Sequence, residues 1–425
     1  MRVIDFAEFG PEEGRGMPSE VVESANSIIS GVRTGGDRAL LGFTKRFDGV
    51  ELRRSDLEVK ESEIEAALEG IDRGLRAALE NSARRIRDFQ KIQMPKPLAR
   101  RMAPGVMARV TYDPIESAGL YVPGGRAAYP STVLMTAVPA KVAGVERVIV
   151  CSPPGKDGGI AGAILAAARI AGVDRVFRVG GAQAIAAMAY GTETMPKAEK
   201  IFGPGNIYVT AAKFAVSRDV AVDLPAGPSD VLIYAEGSGE RISRLVVADM
   251  LAQSEHDPMA KSILLTPSRK LALSVSRLME PVEEGGNGVL AKSLANGAII
   301  LVRDREEGIK AINSIAPEHL QLLCGGGEEM LRSVRNAGAV FIGEYSPVAL
   351  GDYTAGTNHV LPTMGWAKRA SPLSVRDFLR SRESLRCSRR GFRAIAGDAL
   401  KLAEAEGLMR HAGSIRIRLE GDDGK

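Results

Sequence analysis

Apolar residues in the first hundred positions recur at steps of three and four, which is the spacing of a helix that buries one face. One such stripe spans residues 21–32 and ends at Gly35-Gly36, and a longer stripe spans residues 62–89. We therefore predict that residues 1–105 form a mainly helical segment, part of which packs on the second of the two domains that follow.

The pattern changes at about Val106, where short β-branched runs begin to alternate with helices rich in Ala, Ile and Leu. This alternation is typical of an α/β protein with parallel sheets and crossover helices. The strands expected in a first array cover residues 106–112, 119–122, 147–150, 175–179, 200–202 and 220–222. Those expected in a second array cover residues 231–234, 263–265, 298–302, 320–323 and 339–342. Two successive arrays predict two doubly wound, Rossmann-like domains, residues 106–229 and 230–370, with a ligand cleft between them.

The last part of the chain, residues 371–425, is expected to be a helical and basic tail. Its arginines are Arg376, Arg380, Arg382, Arg386, Arg389, Arg390 and Arg393. Few aromatic residues are interleaved with them, so a solvated or subunit-contacting face is favoured over a nucleic-acid surface.

Composition and charge are those of an ordinary globular protein: of 425 residues, 45% are hydrophobic and 25% are charged. The net charge of +4 favours acidic small molecules and does not indicate a nucleic-acid partner. The first residues carry acids where a secretory signal needs an apolar core, and no apolar run is long enough to cross a bilayer. We therefore predict a cytoplasmic protein with no membrane partner.

The three cysteines, Cys151, Cys324 and Cys387, are far apart and odd in number, which argues against a disulfide framework and against a thiolate zinc site. Cys151 ends an apolar strand, where a nucleophile could stand. The alternative, which we favour, is that it is a small buried hydrophobe.

Glycine turns follow three strands of the first array, at Gly124-Gly125, Gly180-Gly181 and Gly203–Asn206. Each turn opens a helix, where free backbone N–H groups and the helix dipole favour an anion. Neither GxGxxG nor GxxxxGK[ST] occurs in the chain. Three turns on one sheet edge are consistent with a phosphate-bearing ligand, although glycines that serve only tight turns are an equally good interpretation.

The chain has only four histidines: His256, His319, His359 and His411. Gln253 and His256 lie three residues apart near the end of a predicted helix, so they can reach one point in space and could hold a zinc-like cation. A helix end with a half-exposed histidine is the simpler alternative. Glu318 and His319 are adjacent at the start of a predicted strand, and two such titratable groups could serve two proton transfers.

With these motifs the chain resembles the histidinol dehydrogenase family over nearly its whole length. The most specific segments are residues 119–125, 179–189, 202–206, 224–230, 253–256, 317–320, 351–362 and 404–411. The resemblance implies a zinc enzyme, with one zinc per subunit, that oxidises L-histidinol through L-histidinaldehyde to L-histidine and consumes two NAD. It also implies an intertwined homodimer with shared active sites and an incomplete Rossmann-type NAD site.

The resemblance further implies roles for individual residues. The catalytic pair would be Glu318 and His319. The zinc ligands would be Gln253, His256, Asp352 and His411. NAD contacts would fall at Tyr121, Gln183 and Asn206. Substrate contacts would fall at Ser229, Gln253, His256, His319, Asp352, His359, Glu406 and His411, with Glu406 and His411 supplied to the neighbouring subunit.

Three other functions compete with this one. A related dehydrogenase could act on another alcohol, such as a sulfonated diol. A zinc hydrolase could use Glu318 as its base, although the chain has no HExxH motif. A non-catalytic metal-binding or nucleotide-binding protein would leave the Glu318–His319 pair without a purpose.

Overall fold

The computed structural model describes residues 1–10, 17–124, 128–223, 227–285 and 288–420. The chain divides into a larger unit, Met1–Gln93 with Ile115–Phe378, and a smaller unit, Met94–Pro114 with Leu379–Lys425. Each unit is described by itself below.

The secondary structure follows the expected alternation. The strands are β1 (Val3–Asp5), β2 (Leu98–Ala103), β3 (Val106–Pro114), β4 (Ser117–Tyr121), β5 (Arg147–Ser152), β6 (Arg175–Arg178), β7 (Lys200–Phe202), β8 (Ala221–Val222), β9 (Asp230–Ala235), β10 (Lys261–Thr266), β11 (Ala298–Leu301), β12 (His319–Leu323), β13 (Ala339–Ile342) and β14 (Leu379–Cys387). The helices are α1 (Ser19–Phe47), α2 (Glu61–Gly70), α3 (Arg73–Gln93), α4 (Pro130–Ala143), α5 (Gly162–Ala171), α6 (Gly181–Tyr190), α7 (Ile207–Val216), α8 (Glu240–Ser254), α9 (Arg269–Gly285), α10 (Val289–Ala295), α11 (Arg305–Ile315), α12 (Gly327–Leu331), α13 (Val348–Tyr353), α14 (Arg389–Ala405) and α15 (Met409–Glu420).

Two parallel sheets form the larger unit, as the two arrays predict. The first sheet has the order β6-β5-β4-β7-β8, and the second sheet has the order β1-β11-β10-β9-β12-β13. In each sheet the first strand of the array is central, with crossovers to both sides, which is the doubly wound arrangement. The α/β fold class is therefore confirmed.

The central strands are apolar along their length because both faces of a doubly wound sheet are covered by helices. In β5 the side chains from Val148 to Cys151 are fully buried. Burial raises the pKa of the Cys151 thiol far above its usual range, so the thiol stays protonated. Cys151 is thus a small hydrophobe of the core, as we favoured, and is not placed as a nucleophile.

The N-terminal segment packs on both α/β domains. Only β1 joins the second sheet, where it pairs in parallel with β11 from Val3↔Ile299 to Asp5↔Leu301. Helix α1 packs on α6 and α7 of the first domain. The helix is kinked at Gly36, whose φ of +52° is not helical. The apolar stripe predicted as one helix over residues 62–89 is divided between α2 and α3. Helix α2 ends because the backbone of Ile71 is extended, and α3 begins after Asp72, whose side chain accepts the N–H of Leu75.

The smaller unit contains an antiparallel sheet that the sequence did not predict. Strand β3 pairs with β2 on one side and with β14 on the other, from Leu379↔Pro114 to Cys387↔Val106. Placing residues 106–112 in the first parallel sheet was therefore wrong. The prediction of a helical tail over residues 371–425 was also wrong, because residues 379–387 form a strand. The arginines of β14 alternate with shorter side chains at the two-residue period of a strand, and Arg382 pairs with Asp113 of β3 at 3.1 Å.

No helix among the described residues combines the length and the apolar character needed to span a lipid bilayer.

Candidate active site

The Glu318–His319 pair lies at the amino end of β12, beside the amino end of the central strand β9. The backbone N–H of Glu318 donates to Asp230 Oδ1 at 2.9 Å, and the backbone N–H of Asp230 donates to Glu318 Oε2 at 3.0 Å. The N–H of Asp230 is the first of β9, and the N–H of Glu318 comes one residue before β12. The reciprocal bonds satisfy them and fix both carboxylates.

The His319 ring is held in one tautomer. Its Nδ1 lies 2.9 Å from the carbonyl oxygen of Asp230, and because a carbonyl only accepts, Nδ1 carries the proton. Its Nε2 lies 3.7 Å from Asp352 Oδ1 and is buried with no hydrogen-bond partner among the described residues. A buried ring nitrogen without a hydrogen-bond partner is available to bind a ligand or to accept a proton.

The electrostatics of the pair favour proton uptake. Burial raises the pKa of Glu318, and the nearby Asp230 raises it further, although His319 and a hydrogen bond from the Ser229 hydroxyl oppose the shift. Burial by itself lowers the pKa of His319, but the carboxylates of Glu318 and Asp352 outweigh that effect and raise it. Glu318 Oε2 lies 3.8 Å from His319 Nδ1.

Asp352, on α13, lies near three of the four histidines. Burial alone would raise the pKa of its carboxyl group, but His319, His359 and His256 together lower it. His359 Nδ1 donates to the Asp352 carbonyl oxygen at 2.9 Å. Asp352 is thus in contact with two histidines that lie far apart in the sequence: its carboxylate faces His319, and its backbone carbonyl holds His359.

The loop that carries His359 also contacts the first domain. His359 Nε2 lies 3.4 Å from the hydroxyl of Thr132 on α4, and Asn358 Nδ2 donates to the Met135 carbonyl at 2.7 Å. These bonds place the histidine between the two α/β domains.

The predicted zinc ligands fall in both units. Gln253 is buried in the last turn of α8, and His256 follows the helix, exposed, with its N–H donating to the Gln253 carbonyl at 3.3 Å. His411 lies on α15 of the smaller unit, and Glu406 follows α14; both side chains are exposed. Within the part of the chain that the structure describes, no three His, Cys, Asp or Glu side chains form a group able to hold a metal ion.

Tyr121 and Gln183, expected to contact NAD, meet at the carboxyl edge of the first sheet. Tyr121 ends β4, and its hydroxyl accepts the N–H of Gly181 at 3.1 Å, at the start of α6. Gln183 is buried in the first turn of that helix. The third residue, Asn206, caps α7: its Oδ1 accepts the N–H groups of Tyr208 and Val209 at 3.0 and 3.1 Å.

Sequence reasoning missed two polar residues of the site. Asp230 was taken only as the residue before a strand, although a carboxylate at the entry of a buried strand is a usable signal. Gln321 stands alone in the apolar run of β12, and its Nε2 donates at 2.8 Å to Asp249 on α8, the helix that carries Gln253. Thr132 gives no signal in the sequence.

Comparison with known proteins identifies the family of this chain. A family model described as histidinol dehydrogenase matches residues 13–419. The histidinol dehydrogenase of Methanothermobacter thermautotrophicus is 48% identical over 404 residues, 94% of each chain, and that of Methanosarcina barkeri is 47% identical over 94% of this chain and 92% of the relative. The crystal structure of histidinol dehydrogenase from Elizabethkingia anophelis superposes with a TM-score of 0.92 at 34% identity, covering 99% of this chain and 98% of that one. The chain therefore belongs to the histidinol dehydrogenase family of oxidoreductases.

Proposed function

We propose that this protein oxidises L-histidinol through L-histidinaldehyde to L-histidine, with zinc and two molecules of NAD, as the last step of histidine biosynthesis in the cytoplasm. The observation that carries the proposal is the buried Glu318–His319 pair, with the free Nε2 of His319 facing Asp352. Two oxidations at one carbon need two proton transfers, and this pair offers two acceptors side by side.

His319 suits the first oxidation. Because its Nδ1 proton is held by the Asp230 carbonyl, the lone pair of the neutral ring is at Nε2. Nε2 would take the alcohol proton as hydride leaves the carbinol carbon.

Glu318 suits the second oxidation. Its burial raises its affinity for a proton, which a carboxylate needs in order to take one from water. Glu318 would activate the water that adds to the aldehyde, and the hydrated aldehyde would then lose its hydride to the second NAD.

Zinc would be held by Gln253, His256 and Asp352 of one subunit and by the partner subunit's His411. The donor set fits: it combines an amide oxygen, two imidazoles and a single carboxylate, and the pKa of the Asp352 carboxyl is held below its usual range, which keeps it in the ionised form that binds a cation. When bound, the metal supplies Lewis acidity and a fixed orientation for an imidazole-bearing and amine-bearing substrate. Ser229, His359 and the partner's Glu406 would complete the substrate contacts.

The dimer is supported by the apolar surface of the smaller unit. Large apolar side chains of that unit are exposed, including Leu98, Met102, Leu385, Leu402, Leu408, Met409 and Ile417. Exposed apolar side chains that adjoin one another mark a protein interface. A second copy of the chain that covers it would bring His411 and Glu406 to a neighbouring site.

Product stoichiometry tests the proposal. Purified protein with limiting L-histidinol and excess NAD should form two NADH per histidinol, with activity lost on chelation and restored by zinc. Sulfonated diols tested in parallel should give none. A single NADH per substrate, turnover of the diol in place of histidinol, or turnover without NAD would refute it.

A further inference from the structure

A buried ion pair in the first domain is not used by the mechanism above. Lys213 on α7 and Asp223 at the end of β8 form a salt bridge, and their side chains are only 3% and 5% exposed. Burying two charges costs several kcal/mol per ion, and an apolar pair of similar volume is often no less stable. Fold stability alone is therefore a weak reason for this pair.

Both charges hold the same short piece of backbone. Asp223 Oδ2 accepts the N–H of Gly203 at 2.7 Å, and Lys213 Nζ donates to the carbonyl of Gly203 at 3.0 Å. The N–H and the carbonyl of this one residue are thus both bound by charged groups, which make shorter and stronger hydrogen bonds than neutral ones.

Gly203 lies where the two central strands of the first sheet end. Its φ is +113°, and a Cβ there would stand 2.1 Å from the Tyr121 carbonyl oxygen, so the backbones at the ends of β4 and β7 are in close contact. Three residues later Asn206 caps α7. The gap between the central strands is the switch point at which a doubly wound sheet binds nucleotides.

We propose that Lys213 and Asp223 are positioning residues for the dinucleotide: they clamp Gly203 from both sides and so fix the β7–α7 turn against Tyr121. The inference rests on the proposed use of NAD. Neither side chain would touch the cofactor, and the effect would pass through the backbone of the turn.

The test is the substitution Lys213→Met, which keeps the length of the side chain and removes the donor. We expect KM for NAD to rise about tenfold, the factor given by one lost hydrogen bond to a charged group, with kcat changed less than twofold. The dissociation constant of NADH, measured by NADH fluorescence without substrate, should rise by the same factor. The double variant Lys213→Met/Asp223→Asn leaves no unpaired buried charge, so it should fold even if the single variant does not. We expect it to show the same rise in KM for NAD and in the dissociation constant of NADH.

Arg175→Met is the matched control. Arg175 forms a bidentate pair with Glu58 at the amino end of β6, away from the turn. This variant should lose thermal stability and keep the NADH dissociation constant of the wild type. If the Lys213 variants lower Tm but bind NADH like the wild type, the positioning role is wrong. If the wild-type protein does not bind NADH, the proposed function itself fails.

Discussion

Apart from β1 at the edge of the second sheet, the two parallel sheets place their strands in the same order, yet their carboxyl edges differ. At the switch point of the first sheet, Gly203 packs on the backbone of Tyr121, and the turns that follow open helices. At the matching point of the second sheet, Arg305 of α11 forms a bidentate pair with Glu236 after β9 and donates to the Gly325 carbonyl after β12, at 2.7–2.9 Å. The crevice of the second sheet is thus occupied by protein side chains.

The candidate catalytic residues of the second sheet lie at the opposite edge. Asp230, Glu318 and His319 all lie where β9 and β12 begin. The rule that ligands bind at the carboxyl ends of strands in open sheets therefore agrees with the proposed NAD site of the first sheet but not with the candidate catalytic pair of the second. The same strand order creates a crevice in each sheet, and in the second sheet an ion pair fills it.

Loss of the free imidazole nitrogen should have the largest effect. His319→Asn keeps a donor near the Asp230 carbonyl but removes Nε2, so histidinol oxidation should fall by about 10²–10⁴-fold, as for a lost general base. Steady-state rates with histidinol, and Tm to check folding, measure this. If the variant keeps most of its activity, the catalytic site does not lie at the amino edge of the second sheet.

The next effect separates the two half-reactions. Glu318→Gln preserves the size of the side chain and an oxygen for the Asp230 N–H, but it cannot take a proton. We expect oxidation of histidinaldehyde to fall about a hundredfold and oxidation of histidinol to fall much less. Single-turnover NADH formation from each substrate shows the difference. Equal losses would contradict the division of labour between Glu318 and His319.

Sequence reasoning found what is local and missed what is long-range. Strands of both sheets were predicted because their double burial makes continuous apolar runs, and Glu318 and His319 were found together because they are adjacent. The Asp230–Glu318 bonds span 88 residues, and the Thr132–His359 contact spans 227. No periodic pattern records contacts over such distances. The arginines of residues 379–387 were read as part of a solvated helix, so the two-residue alternation typical of strand β14 was missed.

A smaller effect is expected at the open crevice of the first sheet. Tyr121→Phe removes the hydroxyl that accepts the Gly181 N–H in a largely buried place. An unsatisfied buried donor costs about 1–3 kcal/mol, part of which would appear in cofactor binding. KM for NAD should rise about fivefold with little change in kcat or zinc content. An unchanged KM would mean that this hydroxyl holds α6 in place without shaping the cofactor site.

The smallest effect on catalysis should come from the closed crevice of the second sheet. Arg305→Met removes the guanidinium from Glu236, and the Tyr234 hydroxyl, which donates to the same carboxylate at 2.8 Å, remains to solvate it. Because both members of the ion pair are partly exposed, the free energy of unfolding should fall by only about 1 kcal/mol. KM for NAD, KM for histidinol and kcat should stay within twofold of the wild type. A change in KM for NAD alone would show that this crevice also binds nucleotide, and the functional difference between the two sheets would disappear.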